Sequence, residues 1–396
     1  HAECSDCHNP HRVQRNRLFN GTGDDVAGTH DHSGPGGHSN LASGVLRGSW
    51  GVEPTYGSAS FQELPVSYQV KAGDGGTGGS TVVNSPWVTR EYQICLKCHS
   101  DFSFVDNNFY PIGSRPNLGS SGGGTSPGTN GLTQYTNQAK EFQAPLAHRG
   151  QVSAADSGAG PGFGTNNHRS WHPVMGATGR DPFLRTDGRD DISNNWLSPF
   201  NVGVGTQTML CSDCHGSDTA PGTVVPDGGE NGNPWGPHGS TNDFILKGPW
   251  SRDTGTGTPD DLCFKCHAFN RYATEAADGT ESGFGRGDNL HGRHVRLIGR
   301  IKCMWCHTAV PHGWKNKGLL VNLNDVGPEA GLAPGTEVPI DSSAQTFNME
   351  PYYWNAKLKI ITFARSGDWR DDNCGSASGN PDVGRKWMEA VCQNPP

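Results

Sequence analysis

Cys4-Ser5-Asp6-Cys7-His8, Cys95-Leu96-Lys97-Cys98-His99, Cys211-Ser212-Asp213-Cys214-His215, Cys263-Phe264-Lys265-Cys266-His267 and Cys303-Met304-Trp305-Cys306-His307 are five versions of one pentapeptide, Cys-x-x-Cys-His. This is the covalent attachment signature of c-type haem. Two thiols add across two vinyl groups on one haem edge, and two intervening residues match the vinyl separation. The His must follow at once, so that its ring lies under the iron when both thioethers are made. The competing reading is zinc, whose ribbons pair Cys-x-x-Cys units at about 15–20 residues. Here the motifs begin at residues 4, 95, 211, 263 and 303, five is an odd number, and every copy carries the trailing His. The motifs therefore predict five covalently bound haem c groups. Their thioethers come from Cys4, Cys7, Cys95, Cys98, Cys211, Cys214, Cys263, Cys266, Cys303 and Cys306, and their proximal ligands are His8, His99, His215, His267 and His307.

The chain has 12 Cys, so the motifs leave two, Cys374 and Cys392. Haem attachment and disulfides share the compartment outside the cytoplasm, so a Cys374–Cys392 disulfide pinning the C-terminal tail is the natural reading, with two free thiols as its alternative. Export also implies a signal peptide, expected to have been removed ahead of His1.

With 57 Gly, 27 Pro and only 32% hydrophobic residues in 396, the side chains cannot build cores of ordinary size. Large apolar macrocycles would supply the missing buried surface. The expected fold is mostly irregular coil with few short helices and strands, a multihaem cytochrome c wrapped around a haem array. It divides into a pentahaem region over 1–312 and a haem-free C-terminal region over 313–396. Residues 20–80 and 101–200 read as loops. Strands are predicted at Thr81-Val82-Val83 and at Lys357–Phe363, and a short helix near Arg385–Val391. The motifs themselves are expected on helical turns.

The net charge is -8, and no basic run exceeds a residue or two, which argues against nucleic acid as a partner. No apolar stretch approaches the 18 or so residues of a transmembrane helix.

The chain has 17 His, and five are proximal. With so many to spare and only five Met, bis-His coordination is expected throughout, closed to external ligands and at low potential. The distal candidates are His11, His38, His172, His238, His291, His294 and His312. His11 follows the first motif at once in Cys7-His8-Asn9-Pro10-His11. It cannot reach back to the far side of the same iron, but it can reach a neighbouring haem. A Pro stiffens the backbone beside His172, His238 and His312. One of His291 and His294 is expected to ligate. His30, His32, His148 and His168 read as solvated loop residues.

With its motifs, its spare His, the N-terminal Cys-x-x-Cys-His-x-x-His from Cys4 to His11 and the Pro-His-Gly and His-Pro-Val contexts, the chain resembles the extracellular multihaem c-type cytochromes of metal-reducing bacteria. It is similar in particular to the filament-forming nanowire cytochromes. The resemblance implies electron transfer without catalysis, an extracellular or outer-surface location and a head-to-tail homopolymer. It further implies that His11 ligates a haem of the adjacent subunit, with other cytochromes or extracellular metal oxides as redox partners. The alternatives are a discrete outer-surface or periplasmic electron shuttle or terminal reductase, and a multihaem enzyme with one open haem. The absence of any Cys-x-x-Cys-Lys variant and the ample spare His argue against the last.

Overall fold

A computed structural model describes residues 3–13, 38–57, 65–76, 78–103, 138–143, 171–177, 192–204, 206–227, 236–250, 258–276, 282, 289–298, 303, 307, 312–313 and 319. Among them, turns and irregular backbone dominate. The helices are α1 (Cys4–Cys7), α2 (Glu91–Cys95), α3 (Gln138–Glu141), α4 (Phe269–Tyr272) and α5 (Leu290–Ile298), and one sheet holds two strands, β1 (Gly51–Thr55) and β2 (Ser67–Lys71). Short 3-10 turns cover Gly44–Leu46, Ile192–Asn195, Cys211–Asp213, Asp243–Ile245 and Leu262–Lys265. No helix among the described residues is long and apolar enough to cross a membrane.

β1 and β2 pair antiparallel, with Gly51 opposite Lys71 and Thr55 opposite Ser67. They fall in a region read as loop, and Val66-Ser67-Tyr68-Gln69-Val70-Lys71 carries a two-residue alternation that signals a strand. Conversely, Thr81-Val82-Val83 is not a strand. Val82 is exposed, and its carbonyl accepts the Ser85 N–H at 3.0 Å in a turn. Three residues between Ser80 and Asn84 are too few to gain a ladder partner. The predicted tail strand, the tail helix, Cys374 and Cys392 lie outside the described residues.

The core is small. Val52 of β1, Tyr92 and Leu96 around α2, Ala139, Phe142 and Val174 form one buried cluster, and Ala42, Val88 and Ile94 form a second. Tyr92 and Leu96 are four residues apart, so they share one face of the turn, while Ile94 points to the other cluster. α2 is thus the strut between the clusters. Glu53 fastens it to β1, accepting hydrogen bonds from Tyr92 Oη at 2.9 Å and Gln93 Nε2 at 2.8 Å. Because α2 ends in Cys95, this packing sets the position of the second motif.

Candidate metal centres

All five pentapeptides close the same turn. The N–H of His8 donates to the Cys4 carbonyl at 2.8 Å, and those of His99, His215, His267 and His307 donate to Cys95, Cys211, Cys263 and Cys303 at 3.0 Å. This is the i to i+4 bond of one helical turn. Positions i, i+3 and i+4 share a face of such a turn, so the motif presents two thiols and one imidazole together. In the two Cys-Ser-Asp-Cys-His copies the acid caps the turn. Asp6 Oδ2 accepts the Glu3 N–H at 2.7 Å and Asp213 Oδ2 accepts the Leu210 N–H at 2.8 Å.

Histidines from distant segments face these imidazoles. Ring centroids of His8 and His238 are 5.9 Å apart, those of His215 and His312 are 6.3 Å apart, and those of His307 and His291 are 6.1 Å apart. A fourth motif histidine, His267, lies within the electrostatic reach of His172. Two imidazoles on opposite sides of one metal, each through a bond of about 2.0 Å with its ring centre about 1.1 Å beyond the nitrogen, have centroids about 6.2 Å apart. The three measured spacings fit that value, and rotation about the shared axis accommodates interplanar angles from 16° to 52°. Ordinary ring packing covers the same distances, and His312 and His291 also pack on Phe142 at 5.3 Å and on Tyr272 at 5.0 Å.

The second ring nitrogens of three of these histidines have partners of their own. His8 Nδ1 lies 2.8 Å from the Val45 carbonyl, and His215 Nδ1 lies 2.8 Å from the Phe244 carbonyl. A carbonyl can only accept, so Nδ1 carries the proton and Nε2 keeps its lone pair, the arrangement that orients a metal-binding imidazole. Ser282 Oγ lies 2.7 Å from His291 Nδ1 and 2.6 Å from Asn289 Oδ1. Ser282 donates to Asn289 and accepts from His291, which again leaves Nε2 unprotonated. The carbonyl facing His215 is held by unusual backbone, since Phe244 and Ile245 have φ of 60° and 50°. His172 has φ of 113°. Such strain concentrates at functional sites.

Burial keeps these imidazoles neutral. It pushes His215 down to about 4, with His312 adding to the effect, His267 down to about 3, with His172 and His307 adding, and His312 down to about 4. Burial likewise pushes the Cys214 thiol up to about 12.

The motifs abut in chain order. Cys7 feels Cys95 and Cys98 of the second motif. The Cys95 and Cys211 sulfurs lie within 4.8 Å of each other between the second and third. Cys214 and Cys266 interact between the third and fourth, and Cys263 feels Cys303 between the fourth and fifth. In the third and fourth motifs one cysteine faces the preceding motif and the other faces the following one. At the first motif, Glu3, Cys4, Ser5, His8 and Pro10 line a surface depression.

The remaining candidates sit differently. His38 is buried with both ring nitrogens engaged, Nδ1 at 2.6 Å from the Thr208 carbonyl and Nε2 at 3.0 Å from Asp213 Oδ1. Its ring stacks on Phe200 at 4.8 Å. Here it braces the third motif rather than offering a nitrogen to a metal. His11 is exposed at the edge of the first motif. His294 is half-buried on α5, one turn beyond His291. His99 is anchored through its carbonyl, which accepts the Gln138 N–H at 2.8 Å. Cys306, His30, His32, His148 and His168 lie outside the described residues. Sequence reasoning missed Ser282, the Val45 and Phe244 carbonyls, and two buried charges beside the motifs, Glu91 and Lys247. Only the tertiary fold brings these to the motifs.

Comparison of the chain with protein-family models, with curated proteins and with solved structures finds no match.

Proposed function

We propose that the chain is a pentahaem c-type cytochrome for long-range extracellular electron transfer, polymerising head to tail into a conductive filament. The observation that carries this reading is the pairing of motif histidines with distant histidines at the spacing of two imidazoles sharing a metal. When bound, haem supplies a one-electron iron centre at each motif. The chain's residues do the rest. Each turn holds two thiols and one imidazole for attachment. His238, His312 and His291 would take the far side of the first, third and fifth centres and His172 that of the fourth, which favours a carrier over an enzyme with an open centre. Consecutive contact of the motifs supports a continuous row running from the first to the fifth.

The open depression at the first motif and the exposure of His11 beside it support an exchange face at that end. His11 is the residue we assign to a haem of the adjacent copy, through a head-to-tail contact that does not close on itself. Electron microscopy of the secreted protein tests the assembly. Uniform filaments that are lost in His11→Ala, with haem content retained, are expected. Normal filaments from that variant would remove the cross-subunit role, and isolated particles from the wild type would favour a discrete shuttle.

A further inference from the structure

Besides Lys97 and Lys265, which are buried within the second and fourth motifs themselves, two buried charges from outside the motifs lie at the junctions between them, on opposite edges of the third. Glu91 is 6% exposed and Lys247 is 1% exposed. The Glu91 carboxylate accepts hydrogen bonds from Ser212 N at 2.8 Å and Ser212 Oγ at 2.7 Å. Its oxygen and the Cys95 and Cys211 sulfurs all lie within 4.8 Å of one another, at the junction of the second and third motifs. Lys247 donates from Nζ to the Val224 carbonyl at 2.5 Å. Its backbone N–H donates to the Cys214 carbonyl at 2.9 Å, and its charge acts on both Cys214 and Cys266, at the junction of the third and fourth motifs. Two further acids of this region are buried, Asp213 with His38 against it at 3.0 Å and Asp261 accepting from Thr258 Oγ1 at 2.5 Å.

Burying a charge is costly. Glu91 and Lys247 both sit where a charge acts most strongly on a bound metal centre. A centre that gains positive charge on oxidation is favoured in its oxidised state by a neighbouring carboxylate and in its reduced state by a neighbouring ammonium. Low local dielectric magnifies both effects.

We propose that Glu91 and Lys247 impose a fixed electrostatic step along the row, Glu91 lowering the potentials of the second and third centres and Lys247 raising those of the third and fourth. This rests on the haem reading above. Electrons are then drawn from the Cys95 edge toward the Cys266 edge, which gives the row a direction in each subunit. Glu91 and Lys247 are positioning residues in this scheme, since they set the field and bind no electron.

The test is spectroelectrochemical titration of the full mature protein, after its mass has established haem loading, for the wild type, Glu91→Gln, Lys247→Met and Lys247→Arg. Glu91→Gln is expected to shift part of the titration curve to higher potential and Lys247→Met to shift part of it lower. Lys247→Arg, which keeps the charge, is expected to stay with the wild type. Fully loaded variants that titrate like the wild type, or that shift in the same direction, would overturn the proposal while leaving the haem reading intact. A wild type without covalent haem would overturn both, and the mass reveals it before any titration. If Glu91→Gln does not load, the contrast between Lys247→Met and Lys247→Arg decides the sign alone.

Discussion

His291 and His307 lie nearly parallel, planes inclined by 16° and centroids 6.1 Å apart, with Ser282 fixing the proton of His291 on Nδ1. One lone pair of this kind on each side of a metal makes a closed, low-spin centre. His291→Ala removes one of them. The variant is expected to keep all five haems, because attachment needs only the motif, and to convert one of the five to a high-spin, carbon-monoxide-binding form. Electron paramagnetic resonance of the oxidised protein checks this. An unchanged low-spin spectrum would assign the fifth centre another ligand, His294 first.

Gly51 begins β1 directly beneath α2. A Cβ added there would meet the Gln93 carbonyl oxygen at 2.7 Å and its carbon at 2.8 Å. Backbone cannot swing away as a side chain can, so Gly51→Ala is expected to destabilise the protein by about 1–3 kcal/mol through overpacking. Chemical denaturation measures the loss. The second motif is carried by α2, so its haem incorporation is expected to fall in parallel.

Ile245 is a β-branched residue with φ of 50°, a conformation costing roughly 1–2 kcal/mol, and its side chain is exposed. Ile245→Asn, which tolerates this region without the entropy penalty of glycine, is expected to stabilise by about 0.5–1 kcal/mol. A Tm a few degrees higher checks it, and the Phe244 carbonyl should keep its bond to His215.

His38 and Asp213 make a pH-dependent brace. Burial pushes the His38 imidazole down, but the charge and hydrogen bond of Asp213 outweigh it, so its pKa is raised above the ordinary 6.5. A raised folded value means the contribution is complete below about pH 6.5 and is lost as pH rises through the folded pKa. Denaturation midpoints are expected to fall from about pH 6 to about pH 8 in the wild type, and to vary less in His38→Gln. Equal slopes in the two proteins would remove the brace from the stability of the third motif.

How far the sequence alone reached is instructive at particular residues. The helical turns of the motifs follow from local chemistry, since Cys, Cys and His at i, i+3 and i+4 are bound to one another by the backbone. The general coil character followed from the glycine and proline content. The hairpin of β1 and β2 was missed because abundant glycine around it masked the alternation from Val66 to Lys71. The facing of His8 by His238, or of His215 by His312, has no local signature, because segments far apart in the chain supply the two rings. His38 shows the same limit. Its Gly37-His38-Ser39 context does not mark it as a brace, and only the fold reveals Thr208 and Asp213 occupying both nitrogens.

The most direct test of the haem array is the intact mass of the mature, exported chain together with thiol alkylation. The expected result is a mass raised by five haems, with the ten motif cysteines inert to alkylation and a low-spin absorption spectrum. A chain of unmodified mass whose motif thiols alkylate freely, or that binds zinc in their place, would contradict it.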